Sequence, residues 1–243
     1  MELSQGTSRR NDIWALAGLA GLVTLFFWKP LFGLEIFFDR DLSQYYYPSM
    51  RVLREILLQG EFPFWSHYFS GGQPLAANPE YAVFYPPRWL ILLPDYDLGF
   101  NLHIIVHFYI ATAGMYLFLR SRSMSIVAPL LGAAAFGLGG WMVSSTDLLP
   151  IMFGMAWIPW ILLFATRFVA ERRAWLFVLA SIASGLQALT GEPTTLIQSA
   201  ILTLLVVTFD ADRDFPGWGT RLRRSVAASG VVVAGALVGA VQL

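Results

Sequence analysis

The chain has 243 residues, of which 56% are hydrophobic and 13% charged, with a formal net charge of +0 and a mean hydropathy of +0.59. Too few charges are present to cover a soluble domain, and their balance offers no concentrated basic surface, so no nucleic-acid partner is expected. The absence of cysteine removes disulfides, thiol nucleophiles and thiolate metal sites.

A helix crosses roughly 30 Å of hydrocarbon with about 20 mostly apolar residues. Taken in chain order, such segments are predicted at Ile13 to Leu34, Leu98 to Leu119, Ile126 to Val143, Leu148 to Val169, Ala174 to Leu189, Thr195 to Phe209 and Val226 to Leu243. The expected fold class is therefore all-α integral membrane, with about seven transmembrane helices in one membrane domain spanning residues 1–243. The first segment exceeds a signal-peptide core and has no small-residue cleavage site after it, so it reads as a retained anchor. Arg9, Arg10, Arg120, Arg122, Arg167, Arg172, Arg173, Arg213, Arg221, Arg223 and Arg224 all fall on one side of this topology. That bias puts the N-terminus in the cytoplasm and residues 35–97 in a long extracytoplasmic loop between the first two spans.

The loop holds seven of the nine tyrosines, a richness in aromatics that argues for order, packed at the membrane surface. Within it, Pro48 suits a helix start and Gly60 a helix stop. Between them Met50, Leu53 and Leu57, joined by Val52 and Ile56, share a face opposite Arg51, Arg54 and Glu55. The pattern predicts an amphipathic helix along the interface. Ser70-Gly71-Gly72 and Pro74, Pro79, Pro86 and Pro87 mark turns.

Asp39-Arg40-Asp41 follows the first span directly, and charge placed there points to a chemical site at the membrane surface. The plainer reading is a solvated connector, with Arg40 and Arg88 as interfacial anchors. His103 and His107, four residues apart, share one face of the second span. Such a pair can bind a metal or a substrate, His103 being nearer the outer end, yet polar residues inside bundles more often bond neighbouring helices. Asp147 and Glu192 fall on the same side as the loop, where they could line a pocket or cap the following helices. Ala133 with Gly137, and Gly235 with Gly239, read as packing faces. Phosphate-loop, zinc-protease and nucleophile-elbow motifs are all missing.

The succession FFDRDLSQYYYP, GEFPFW, GGQPLAANPE, VFYPPRWL, a span carrying His103, and TGEPTT resembles the YfhO-like group of bacterial multi-pass membrane proteins, which are similar to the glycosyltransferase C superfamily. The resemblance covers roughly Phe37 to Leu243. It implies a transferase of the bacterial cytoplasmic (inner) membrane that takes a sugar from a polyprenyl-phosphate carrier and uses an acid of the first outer loop. Asp41 matches that acid best, and Asp39 sits where relatives often have a small residue. Relatives continue into further spans, so the chain is expected to be the N-terminal part of a longer protein or a shortened subunit with membrane-protein partners.

Sugar transfer from phosphate to a hydroxyl needs a carboxylate to take the acceptor proton and donors to hold the phosphate. Asp41 as base with Arg40 or Arg88 near the phosphate meets that need, and His103 and Glu192 are further substrate-binding candidates. Asp39 and Asp41 could instead hold a divalent cation, but two aspartates make an incomplete site and leave metal dependence open. The alternative is a non-catalytic structural subunit of a membrane complex. A transporter would place ionisable residues near mid-span, where few are present.

Overall fold

Ten α-helices can be followed in a computed structural model that describes residues 2–68, 71–209 and 217–241, with residues 2–9 described by their backbone alone. Ser70, Arg213 and the Gln242-Leu243 end of the last predicted span lie outside the described residues. The helices are α1 (Glu2–Phe26), α2 (Trp28–Leu31), α3 (Tyr47–Leu58), α4 (Tyr96–Ser121), α5 (Val127–Gly137), α6 (Gly140–Ser144), α7 (Leu149–Glu171), α8 (Ala174–Ala188), α9 (Pro193–Phe209) and α10 (Trp218–Gly239). Among the described residues there is no β-strand, only a single bridge between Ser66 and Gln73.

Helices occupy all seven predicted positions, and four of these segments are long and apolar enough to cross a membrane: α4, Val127–Asp147, α7 and α10. They mark the chain as a helical membrane protein. At 15 and 17 residues, α8 and α9 reach about 22–26 Å at 1.5 Å per residue, short of a full hydrocarbon core. The third predicted span is interrupted. Leu138 and Gly139 separate α5 from α6, which opens on Gly140, a poor helix former, and a 3₁₀ turn over Ser145–Asp147 completes the segment.

Helix α9 shows what the surroundings are. Thr195, Ser199 and Thr203, spaced by four, are buried, whereas Ile197, Ile201 and Leu205 face outward. Polar groups inside and aliphatic groups outside suit a hydrocarbon solvent and would be costly in water. The inner polar stripe meets Gln187 of α8, whose amide donates to the Gly154 carbonyl of α7 at 2.9 Å and whose side-chain oxygen accepts from Ser199.

Helix α7 lies at the centre, packed on α4, α8 and α9, while α10 packs on α8 and α9. Small residues permit these approaches. A Cβ on Gly235 would lie 2.3 Å from Ser184 and one on Gly239 2.2 Å from Ala188; a Cβ on Gly137 would lie 2.3 Å from the Thr112 methyl of α4. The small-residue positions noted in the sequence are thus helix contacts.

The connection over residues 35–97 is built into the core. Asp41 leads into a π-helical turn, Leu42–Tyr46, which continues as α3 with Pro48 in its first turn. Gly60, at φ +78, follows the helix end, a backbone state that glycine adopts without penalty. The apolar face of α3 turns onto the protein itself: Met50 and Leu53 are fully buried with Leu75, Tyr81, Tyr85 and Ile91. Arg54, expected on the outward face, folds back to donate to the carbonyls of Ile91 and Leu93 at 2.9 and 3.0 Å. It thereby closes the end of the 3₁₀ segment Pro86–Leu92.

Candidate functional site

Where the long connection meets the N-terminal ends of α7 and α9, the chain forms a hollow of about 500 Å³ that is open on one side. One wall is Tyr46, Asn78, Pro79 and Glu80; the other is Leu148, Pro150, Ile151, Gly191, Glu192 and Pro193. Proline and glycine set these walls locally. Asn78 caps the 3₁₀ turn Pro79–Tyr81 by accepting from the Glu80 N–H at 3.0 Å. Gly191 has φ +79, and a Cβ there would lie 2.1 Å from the Pro79 carbonyl oxygen, so the TGEP turn presses its backbone directly on the opposite wall.

Two carboxylates, Glu80 and Glu192, line this hollow. Glu192 also accepts from the Thr194 N–H at 2.8 Å, the capping role open to it from the sequence, and both uses are compatible because a carboxylate has lone pairs to spare. The Tyr46 hydroxyl lies under the combined influence of Glu80, Arg88, Asp41 and Glu192. Burial, reinforced by these carboxylates and opposed by Arg88, pushes its pKa up. Tyr46 is therefore a neutral hydrogen-bonding group at neutral pH.

Arg88 sits behind the Glu80 wall, with no exposed surface. Its guanidinium donates from one terminal nitrogen to the Glu80 carbonyl at 3.3 Å and from the other to His103 Nε2 at 2.9 Å. It lies 5.4 Å from the centre of the Phe153 ring. Its Nε has no hydrogen-bond partner. Burial lowers its pKa to about 10, which leaves it charged at neutral pH. A fully buried cation whose direct partners are an imidazole, a carbonyl and an aromatic face is incompletely compensated.

The two histidines belong to this buried layer. Since Arg88 can only donate, His103 Nε2 accepts, which fixes the proton on Nδ1, 2.6 Å from the Phe100 carbonyl oxygen. His107 Nδ1 donates to the His103 carbonyl at 2.8 Å; its Nε2 accepts from the Tyr85 hydroxyl at 2.6 Å, and Tyr85 in turn accepts from the Trp157 indole at 2.7 Å. His107 also stacks on Phe153 at 3.8 Å. With every ring nitrogen engaged, His103 reaches the hollow only through Arg88, and the pair offers no lone pair to a metal.

Asp39, Arg40 and Asp41 are exposed. Arg40 takes a positive φ of 43°, an unusual state for a side-chain-bearing residue. It pairs with Asp147 at 3.4 Å while remaining largely open to solvent, a weak tether between the connection and the turn before α7. Asp41 stands outside the walls of the hollow, close enough to act on Tyr46 through its charge. Among the described residues no three histidine, aspartate or glutamate side chains converge, so Asp39 and Asp41 would hold a divalent cation only together with waters or substrate phosphate.

Of the residues singled out in the sequence, Glu192 lines the hollow, Arg88 lies behind its wall and Asp41 stands outside it, while Glu80 and Tyr46 were missed. The signal for both was present, in the Asn-Pro-Glu turn and in the aromatic run after the aspartates. No family model, curated protein or solved structure matches the chain, so its relation to other proteins rests on the sequence motifs alone.

Proposed function

We propose that the chain forms the donor-binding part of a membrane-embedded glycosyltransferase, which moves a sugar from a polyprenyl-phosphate carrier to an acceptor hydroxyl with inversion at the anomeric carbon. The observation that carries this reading is the hollow walled by Glu80, Glu192 and Tyr46 with the buried Arg88 guanidinium behind it. It brings proton acceptors and an incompletely compensated cation to one end of the bundle.

In the reaction the acceptor oxygen attacks the anomeric carbon from the face opposite the carrier. The bond from that carbon to the phosphate oxygen breaks, its electron pair leaves with the lipid phosphate, and the hydroxyl proton passes to a carboxylate. Asp41 is the acid that the sequence motif assigns to this step, and Glu80 and Glu192 are the carboxylates that line the hollow. Arg88 favours the dianionic leaving phosphate through its charge, and Tyr46 supplies a neutral donor.

Transfer of labelled sugar from a polyprenyl-phosphate donor, measured in membranes carrying the protein, tests the reading. Asp41→Asn, Glu80→Gln and Glu192→Gln are compared side by side. The base is the position whose variant loses about 100-fold or more, and three variants with wild-type transfer would end the enzymatic reading. A non-catalytic membrane subunit is the second reading, favoured by the solvent exposure of Asp41. It expects no transfer by any form and copurification with another membrane protein at fixed stoichiometry.

A further inference from the structure

At the opposite end of the bundle, α1, α4, α7 and α8 border a second hollow of about 680 Å³, with Asp12, Arg120, Arg167 and Glu171 at its mouth and Trp160 and Phe164 on its inner wall. Toward the middle of the bundle it continues into a groove of about 230 Å³ with a wholly apolar lining, in which Trp160 and Phe164 recur beside Ile110, Ile182 and Leu186. The two lie side by side against Trp160 and Phe164, a slot with one charged end and one apolar end.

Its length matches one leaflet. Ile110 and Arg120 lie ten residues apart on α4, about 15 Å at the helical rise, and half of a hydrocarbon core is also about 15 Å. Trp160 is fixed in the slot by two features. Gly114 leaves room for its indole, where a Cβ would lie 2.5 Å from Nε1, and that nitrogen donates to the Ile110 carbonyl at 2.8 Å. The indole donor is satisfied within the protein, so the rest of the ring serves as an apolar wall.

Charge at the mouth is unequal. Arg120 pairs with Asp12 at 2.7 Å and Arg167 with Glu171 at 2.8 Å, and Arg173 shares Glu171 at 3.5 Å. Arg172 and Arg173 stand exposed on the connection directly after Glu171. Three arginines, Arg120, Arg167 and Arg173, thus meet two carboxylates, and the excess suits a phosphate with a net negative headgroup.

We propose that this slot is a binding site for one anionic phospholipid, its phosphate on the terminal nitrogens of Arg167 and Arg173, whose Nε atoms face Glu171, and one acyl chain along Trp160, Phe164 and Ile182. A zwitterionic lipid could fill the apolar part but gains less at the mouth. The site lies at the far end from the acidic hollow and does not depend on the reaction carried out there.

The test uses the full chain reconstituted in phosphatidylcholine vesicles doped with brominated-chain phosphatidylglycerol or, separately, brominated-chain phosphatidylcholine, with quenching of tryptophan fluorescence as readout. At equal mole fraction the brominated phosphatidylglycerol should quench more, with an apparent preference of at least threefold. Trp160→Phe should remove most of that excess, and Arg167→Gln combined with Arg173→Gln should bring the preference close to one. Should the double variant not fold, raising the ionic strength around the wild-type protein should shrink the preference in the same way. Equal quenching by the two lipids, or a preference unchanged by both the double variant and salt, would overturn the proposal and leave ordinary boundary lipid. A wild-type slot closed to both lipids by a second copy or another protein would overturn it as well.

Discussion

Two charged regions of the connection over residues 35–97 behave in opposite ways. The Asp39-Arg40-Asp41 corner, which stands out in the sequence, lies in solvent with one weak pair to Asp147. Arg88, a single cation among aromatic and aliphatic residues, is buried on the inner side of the same connection, on His103 and Phe153. The difference teaches that conspicuous charge in an apolar chain marks where the chain meets water. The costly charge, and hence the one demanding an explanation, is inconspicuous because a loop must fold over to bury it.

Removing Arg88 is the strongest way to probe that contrast. Arg88→Ala opens a cavity and leaves His103 Nε2 and the Glu80 carbonyl without their donor, so a loss of about 3–5 kcal/mol is expected, read as a lower denaturation midpoint in detergent. Arg88→Met, which fills the space without the charge, should recover much of that loss, since buried ions replaced by apolar residues of similar volume are often tolerated. A methionine variant that is stable but unable to bind a phosphate-bearing ligand would separate the guanidinium's binding role from its packing. If methionine proved as destabilising as alanine, Arg88 would be chiefly a structural hub.

Gly191 tests whether the walls of the hollow depend on each other. Gly191→Ala forces a side chain into a left-handed backbone state and against the Pro79 carbonyl. About 2 kcal/mol is expected from strain and steric conflict together. The change should also loosen the turn over Pro79–Tyr81, detectable as faster amide exchange there, whereas Gly33, also at positive φ but with open space around it, should accept alanine with backbone strain alone. Equal effects at the two glycines would mean that the contact with Pro79 contributes nothing.

These contrasts also show what the sequence could and could not disclose. Helix positions were legible because apolar length and proline or glycine punctuation are local properties: Pro48 and Gly60 bound α3 closely, whereas the break at Gly139 inside the predicted span Ile126 to Val143 went unread. The orientation of Arg54 was not, since its carbonyl partners lie nearly forty residues away. The same holds for His103 and His107. Their spacing of four put them on one face, but only tertiary structure supplies Arg88 and Tyr85 as the groups that occupy their nitrogens. Glu80 stayed hidden because nothing local ties an exposed acid in a turn to Glu192, more than a hundred residues on.

A smaller effect is expected at the far end of α1. The Arg120 guanidinium beside Asp12 holds that carboxyl below its ordinary 3.8, so the interaction is fully present at pH values above the unfolded-state pKa and is lost as pH falls through the lower folded value. Lowering the pH from 7 toward 3 should reduce the thermal midpoint of the wild-type protein more steeply than that of Asp12→Asn. Parallel acid limbs would show that the pair contributes nothing to stability, as is common for partly exposed ion pairs.

The smallest stability change should come from the most conspicuous residue. Asp41→Asn, at an exposed position outside the walls of the hollow, should shift stability by no more than about 0.5 kcal/mol, so a change in donor binding or transfer could be assigned to chemistry and not to unfolding. Unchanged donor binding and transfer would reduce the Asp39–Asp41 corner to a solvated connector and leave Glu80 and Glu192 as the acids that matter.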